Sequence, residues 1–181
     1  MKKLFLVLLT ISFFACSEEK IQPQMSKSKI EGEIPVHESW NSKIMFTDEG
    51  KIKAILFSDH LEKFELQRVT LLEKVKIDFY DKEQKNTSNL TSLTGKVDDI
   101  LRDMYAFGNV IAQNDSGVVL KTEELKWRNV DQKIVTDKFV SITTKKEIIE
   151  GYGLEADQSL NNYIVFHPTY TASISKEEKK R

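Results

Sequence analysis

Apolar and polar positions alternate with a period of two over several stretches of the chain. Val75, Ile77 and Phe79 are separated by Lys76 and Asp78, Val118, Leu120 and Thr122 by Val119 and Lys121, and Val140 and Ile142 by Ser141. Such alternation places every second side chain on one face of a pleated strand, a geometry that β-branched residues favour. Each run is bounded by turn-forming residues, at Asp81 to Asn86, Asn114 to Gly117 and Asn129 to Gln132. Strands recur roughly every ten residues without a long helical pattern between them, which predicts antiparallel pairing instead of βαβ units. The expected class is all-β. Asp59 to Leu66 and Lys96 to Asp103 suit either a turn of helix or an irregular strand, and periodicity leaves both open.

Two segments change phase. The apolar positions are even at Leu120 and Thr122 but odd at Leu125 and Trp127, and Leu90 to Val97 slips in the same way. A one-residue slip is what a β-bulge or corner produces, and it lets one strand take part in two differently oriented sheets. A curved, twisted roll is therefore expected. Gly108, Asn109 and Val110, followed by Leu120, Thr122 and Leu125, are echoed about 30 residues on by Phe139 and Val140, followed by Ile149, Gly151 and Leu154. This suggests stacked hairpins sharing a trough.

Charge narrows the partners. Lys and Arg total 27 against 28 Asp and Glu in 181 residues, a net charge of -1, so no global field attracts nucleic acid. With 40% hydrophobic and 30% charged residues the chain can bury a core. The single Cys excludes a disulfide scaffold and a cysteine zinc site.

That cysteine sits in an informative place. Lys2 and Lys3 precede an apolar run from Leu4 to Phe14, which ends at Ala15 and Cys16 before Ser17, Glu18 and Glu19. Eleven residues at about 1.5 Å each reach only about half of a bilayer core, so residues 1–15 are expected to be a cleaved signal peptide. A small residue followed by Cys resembles a bacterial lipobox, with Cys16 as the acylated anchor, although Phe13 stands where that pattern prefers Leu. Residues 16–36 carry Pro23, Gly32 and Pro35 without apolar periodicity and read as a tether. Residues 37–175 form the expected folded body, and 176–181 a charged tail. The compartment is extracytoplasmic and without ATP.

Residues with catalytic chemistry do not assemble. His37, His60 and His167 are scattered, with no second His or Cys at ligand spacing, so neither a metal nor a cofactor is expected. No nucleophile elbow, P-loop or zinc-protease helix occurs, and the protein is not expected to be an enzyme. Gly151 to Ala156 matches a relaxed dinucleotide fingerprint, but too little chain follows for the helix and second strand of a Rossmann unit. Gly108, Gly151 and Gly153 are better read as bulges or sites of close backbone approach.

The ordered series Gly108-Asn109-Val110, Asn114 to Gly117, Leu120 to Trp127, Ile134 to Asp137, Val140 and Gly151 to Asp157 resembles the LptC family, the membrane-anchored periplasmic component of lipopolysaccharide export. The resemblance implies an open, twisted β-jelly-roll of antiparallel strands, shared with LptA, whose apolar groove holds lipopolysaccharide acyl chains. It also implies an LptBFG-type ABC transporter and an LptA-type bridge protein as partners, in the periplasm at the inner membrane of a Gram-negative bacterium. The family's familiar form has an uncleaved transmembrane helix where this chain has its lipobox. Groove candidates by alternation are Val75, Ile77, Phe79, Leu93, Val110, Leu120, Leu125, Trp127, Val140, Ile142 and Leu154; alternation alone does not separate a lining from a sealed core. Tyr163, Ile164, Val165, Phe166, Ala172 and Ile174 are candidates for the edge that meets the bridge protein. The competing reading is a structural or adhesive lipoprotein whose closed β-sandwich binds another protein.

Overall fold

The computed structural model describes residues 30 and 32–174. The expected signal peptide, Cys16, most of the 16–36 tether and the tail 176–181 lie outside the described residues. Nine strands follow in order: β1 (His37–Asp48), β2 (Lys51–Phe64), β3 (Val69–Tyr80), β4 (Asn86–Asp98), β5 (Met104–Asn114), β6 (Val119–Arg128), β7 (Lys133–Thr143), β8 (Glu147–Asp157) and β9 (Tyr163–Ser173). Each pairs with its sequence neighbours in one antiparallel sheet of order β1 to β9. Among the described residues β1 and β9 are each paired on one side only, so the sheet is open, not a closed barrel. Both ambiguous segments resolve as strand: residues 59–64 complete β2, and 96–98 end β4 before the turn at 99–103.

A crease runs across the strands near their middles. The ladders slip between Thr91 and Thr94, Phe107 and Val110, Thr122 and Lys126, and Thr136 and Phe139. The two phase changes legible in the sequence are the first and third of these. Left-handed backbone collects at the same level, at Asn41, Lys74, Gly108, Asn109 and Gly153, with φ of 52°, 48°, 74°, 46° and 76°. An extra residue bends a strand and increases its twist, and bulges aligned across neighbours bend the whole sheet.

The bend doubles the sheet over itself. Leu56, Ile77, Leu90, Val110, Leu120 and Val140 on one side of the crease, and Leu61, Leu72, Met104, Leu125, Ile134 and Leu154 on the other, belong to a single buried cluster. The two half-sheets thus share one core, and the fold is the open β-jelly-roll of the sequence-based expectation. Opposite the crease, turns from the two halves meet along a seam. At the β8–β9 turn the seam is stitched: the Ser88 hydroxyl donates to the Gln158 carbonyl (2.5 Å) and Asn114 Nδ2 to the Ser159 carbonyl (3.0 Å). Leu160, at φ 55° and 2% exposed, inserts from the same turn into the core.

Candidate lipid-binding cleft

Nearer β1 the seam is open. A cleft of about 700 Å³ lies between the Ile44–Asp48 half of β1 and the turns β4–β5 and β6–β7. Ile44 and Phe46 turn inward from β1 and pack against the core, Val97 comes from the end of β4, and Trp127 from the end of β6. These four make an apolar wall. Lys53, Lys63 and Arg102 line the same cleft with Asp48 and Asp99, three cations against two carboxylates. Lys63 Nζ is 3.3 Å from Asp99 Oδ2, and Lys53 Nζ is 3.8 Å from Asp48 Oδ2. The Thr70 hydroxyl donates to Asp99 Oδ1 at 3.0 Å. Arg102 makes no ion pair among the described residues. Trp127 is 6% exposed, and its indole Nε1–H is buried with no hydrogen-bond acceptor among them.

Beyond the cleft the interior is filled. The void enclosed by Ile77, Phe79, Leu90, Met104, Leu125 and Ile134 is only about 10 Å³, smaller than a water molecule. Val75, Ile77, Phe79, Val110, Leu120, Leu125, Val140, Ile142 and Leu154 are all buried in the shared core. Of the residues proposed to line a groove, Trp127 alone also borders the open cleft. Alternation had identified the face these residues occupy; it carried no information on whether the opposing half-sheet presses against that face.

Leu93 departs from the sequence reading. It is 56% exposed and lies over Gly108, whose added Cβ would sit 3.1 Å from Leu93 Cδ1. The slip between Thr91 and Thr94 is the reason, since it leaves Leu93 on the outer side of the crease. Ile44, Phe46, Val97 and Arg102 were not anticipated. The available signal was weak: Ile44 and Phe46 alternate with Met45 and Thr47, but only the register beside β2 shows that this strand closes over the mouth.

The edge candidates lie on or just beyond β9. Tyr163 and Val165 pack inward against the core, while Ile164, Phe166 and Ile174 are exposed and Ala172 is half-buried. Burial, with a smaller contribution from Glu147, pushes the Tyr163 phenol above its usual value. Phe166 covers Gly153, where an added Cβ would meet its ring at 3.0 Å. At Gly151 a Cβ would fall 2.4 Å from the His167 carbonyl oxygen and 2.7 Å from Pro168 Cα, so β9 crosses β8 too closely for any side chain. The fingerprint-like segment Gly151 to Ala156 is simply the interior of β8.

The histidines are divided by the fold. His37 opens β1 and His167 lies exposed on β9, whereas His60 is held between strands. His60 Nε2 lies 2.8 Å from Glu38 Oε1, Nδ1 lies 3.7 Å from Glu73 Oε2, and its ring stacks on Trp40 at 5.2 Å. The β1–β2 register also places Glu38 opposite Glu62, and ligand-type atoms of Glu38, His60 and Glu62 lie within 4.8 Å of one another. Linear spacing had hidden this grouping, which ties β1 to β2 and β3.

A sheet folded into an open roll, apolar inside and entered through a cleft with a basic rim, defines a class of β-jelly-roll suited to sheltering amphiphiles. No helix among the described residues is long and apolar enough to cross a membrane. A family model described as lipopolysaccharide-assembly, LptC-related, matches residues 4–163, and the chain belongs to that family. No curated protein matches the chain. Membership places the protein in lipopolysaccharide transport, as a periplasmic component associated with the inner membrane, in a family that transports and binds instead of catalysing a reaction.

Proposed function

We propose that the protein is a lipid-anchored LptC component that receives lipopolysaccharide from an LptBFG-type ABC transporter and passes it to an LptA-type bridge protein. Cys16 is the acylated anchor, and residues 17–36 span the distance from the headgroups to the roll. Two acyl chains hold a protein on a membrane far more durably than one. The observation that carries the reading is the open sheet: an apolar interior reached through the β1-side cleft, with an unpaired edge strand at each end.

The physical need is large. An acyl chain of about ten methylenes exposed to water forfeits roughly 8 kcal/mol of burial, so a lipid with several chains requires shelter across an aqueous gap. The filled interior means that lipid enters by parting the half-sheets. The crease is continuous backbone and resists this, whereas the seam is joined by a few hydrogen bonds. Edge strands pair with foreign strands, and such addition at β1 and β9 aligns this interior with those of its partners. ATP hydrolysis in the transporter supplies direction.

A photocrosslinking residue at Phe46 tests the proposal in cells. Capture of lipopolysaccharide that depends on transporter ATP hydrolysis is the expected result, with none from Lys121 on the outer face. Equal labelling from both positions would overturn it.

A further inference from the structure

The open cleft contains an unsatisfied donor. The Trp127 Nε1–H is buried, has no acceptor among the described residues, and belongs to a side chain that walls the cleft. An indole nitrogen can only donate, and a buried donor left without an acceptor is destabilising until one arrives. The complement must therefore be an acceptor. The walls beside it, Ile44, Phe46 and Val97, are apolar, so that acceptor has to be carried on an apolar chain. A bare phosphate is a poor fit there, because stripping its water in an apolar setting costs far more than one neutral donor returns. The charged part of such a ligand fits the rim, where Arg102 has no ion-pair partner among the described residues while Lys53 and Lys63 are engaged by carboxylates. The cleft volume of about 700 Å³ lies within the usual range for small-ligand sites.

We propose that Trp127 and Arg102 form a subsite for the junction of an acylated, phosphorylated glycolipid. The Trp127 Nε1–H donates to the amide or ester carbonyl that joins an acyl chain to the sugar, and Arg102 holds the adjoining phosphate at the rim. This rests on the lipopolysaccharide reading above and adds to it the chemical group that is recognised. The subsite would favour a chain bearing a carbonyl over a plain hydrocarbon and would set the depth at which the headgroup stops at the seam.

The test uses the intact protein with detergent-dispersed lipid A, its dephosphorylated form, and diphenylhexatriene, an apolar probe without an acceptor. Trp127→Phe keeps the apolar wall and removes the donor. It should weaken lipid A binding about five-fold, the loss of one neutral hydrogen bond, and leave the hydrocarbon probe unaffected. Arg102→Gln should weaken lipid A about ten-fold and the dephosphorylated form hardly at all. A second readout avoids altering the donor. In a Trp40→Phe protein the remaining indole N–H resonance belongs to Trp127 and should move downfield with lipid A but not with diphenylhexatriene. Unchanged lipid A affinity in Trp127→Phe, or an unmoved indole resonance while lipid A binds, overturns the Trp127 assignment. Equal losses for both lipid A forms in Arg102→Gln overturn that of Arg102. A wild-type protein that binds no lipid A at all refutes lipid carriage itself, an outcome distinct from the others.

Discussion

Replacing Gly151 with alanine probes how the last strand is held. The Cβ would stand 2.4 Å from the His167 carbonyl oxygen, 2.7 Å from Pro168 Cα and 2.9 Å from Val165 Cγ1, where ordinary contact begins at 3.4 Å. Two of these three atoms are backbone, so no rotamer change relieves the clash and β9 itself must move by about 1 Å. Overpacking of this kind costs about 3 kcal/mol at the upper end, and the reduced freedom of the unfolded chain returns about 0.7 kcal/mol. The net loss is about 2 kcal/mol, or roughly 6 °C in Tm for a body of this size. The displacement should be local: amide exchange should accelerate in β9 and its β8 partners and remain unchanged in β3 to β5. Since β9 is the edge proposed to meet the bridge protein, binding of that partner should fall with it. A variant melting within 1 °C of the parent, with β9 exchange unaltered, would refute the close-approach argument.

Two further outcomes follow from the seam. Asn114 is buried and donates through Nδ2 to the Ser159 carbonyl at 3.0 Å, while its Oδ1 accepts from the Val118 amide at 2.8 Å. Asn114→Ala should cost about 2 kcal/mol in urea unfolding and speed uptake of an apolar fluorophore, because the β8–β9 turn loses a stitch to the opposite half-sheet; unchanged uptake at reduced stability would show that the seam is not the route. Asp157 organises the same turn. Burial raises its carboxyl pKa, but hydrogen bonds from Asn162, Ser159 and the Asn161 and Asn162 amides outweigh this and hold it below the usual aspartate value. A depressed folded-state pKa gives stability that is complete above the unfolded value and is lost as pH falls through the folded one. The stability gap between the parent and Asp157→Asn, followed by urea midpoints, should therefore be widest near neutral pH and shrink below about pH 4; a constant gap would contradict this.

The seam and the crease divide the mechanical labour. Along the crease every strand is covalently continuous and turned by a bulge, so the bend is built into the backbone. Along the seam the halves meet through side chains and turns, including the Leu160 plug and the bonds from Ser88 and Asn114. Opening for a lipid is cheaper at the side where fewer contacts must be broken. The cleft beside Trp127 lies on that side.

The chain's own pattern was sufficient for the all-β class, for the inward face of β3, β6 and β7, and for the bulges in β4 and β6. Each of these follows from local alternation, because a slipped phase is a bend whatever it is later packed against. Gly151 was legible as a place of tight approach for the same reason: no side chain could be offered there. The series of short motifs from Gly108 to Asp157 also sufficed to indicate the family, which the match over residues 4–163 establishes. Tertiary structure decided the rest. Whether Leu120 and Val140 line a groove or seal a core depends on the distance between two half-sheets, a quantity absent from any single strand. Ile44, Phe46, Val97 and Arg102 come together only when β1 folds against turns more than fifty residues away, and His60 meets Glu38 and Glu73 only through pairing of three strands. The alternating pattern specifies which way a side chain points; what it meets there is fixed by the closure of the sheet.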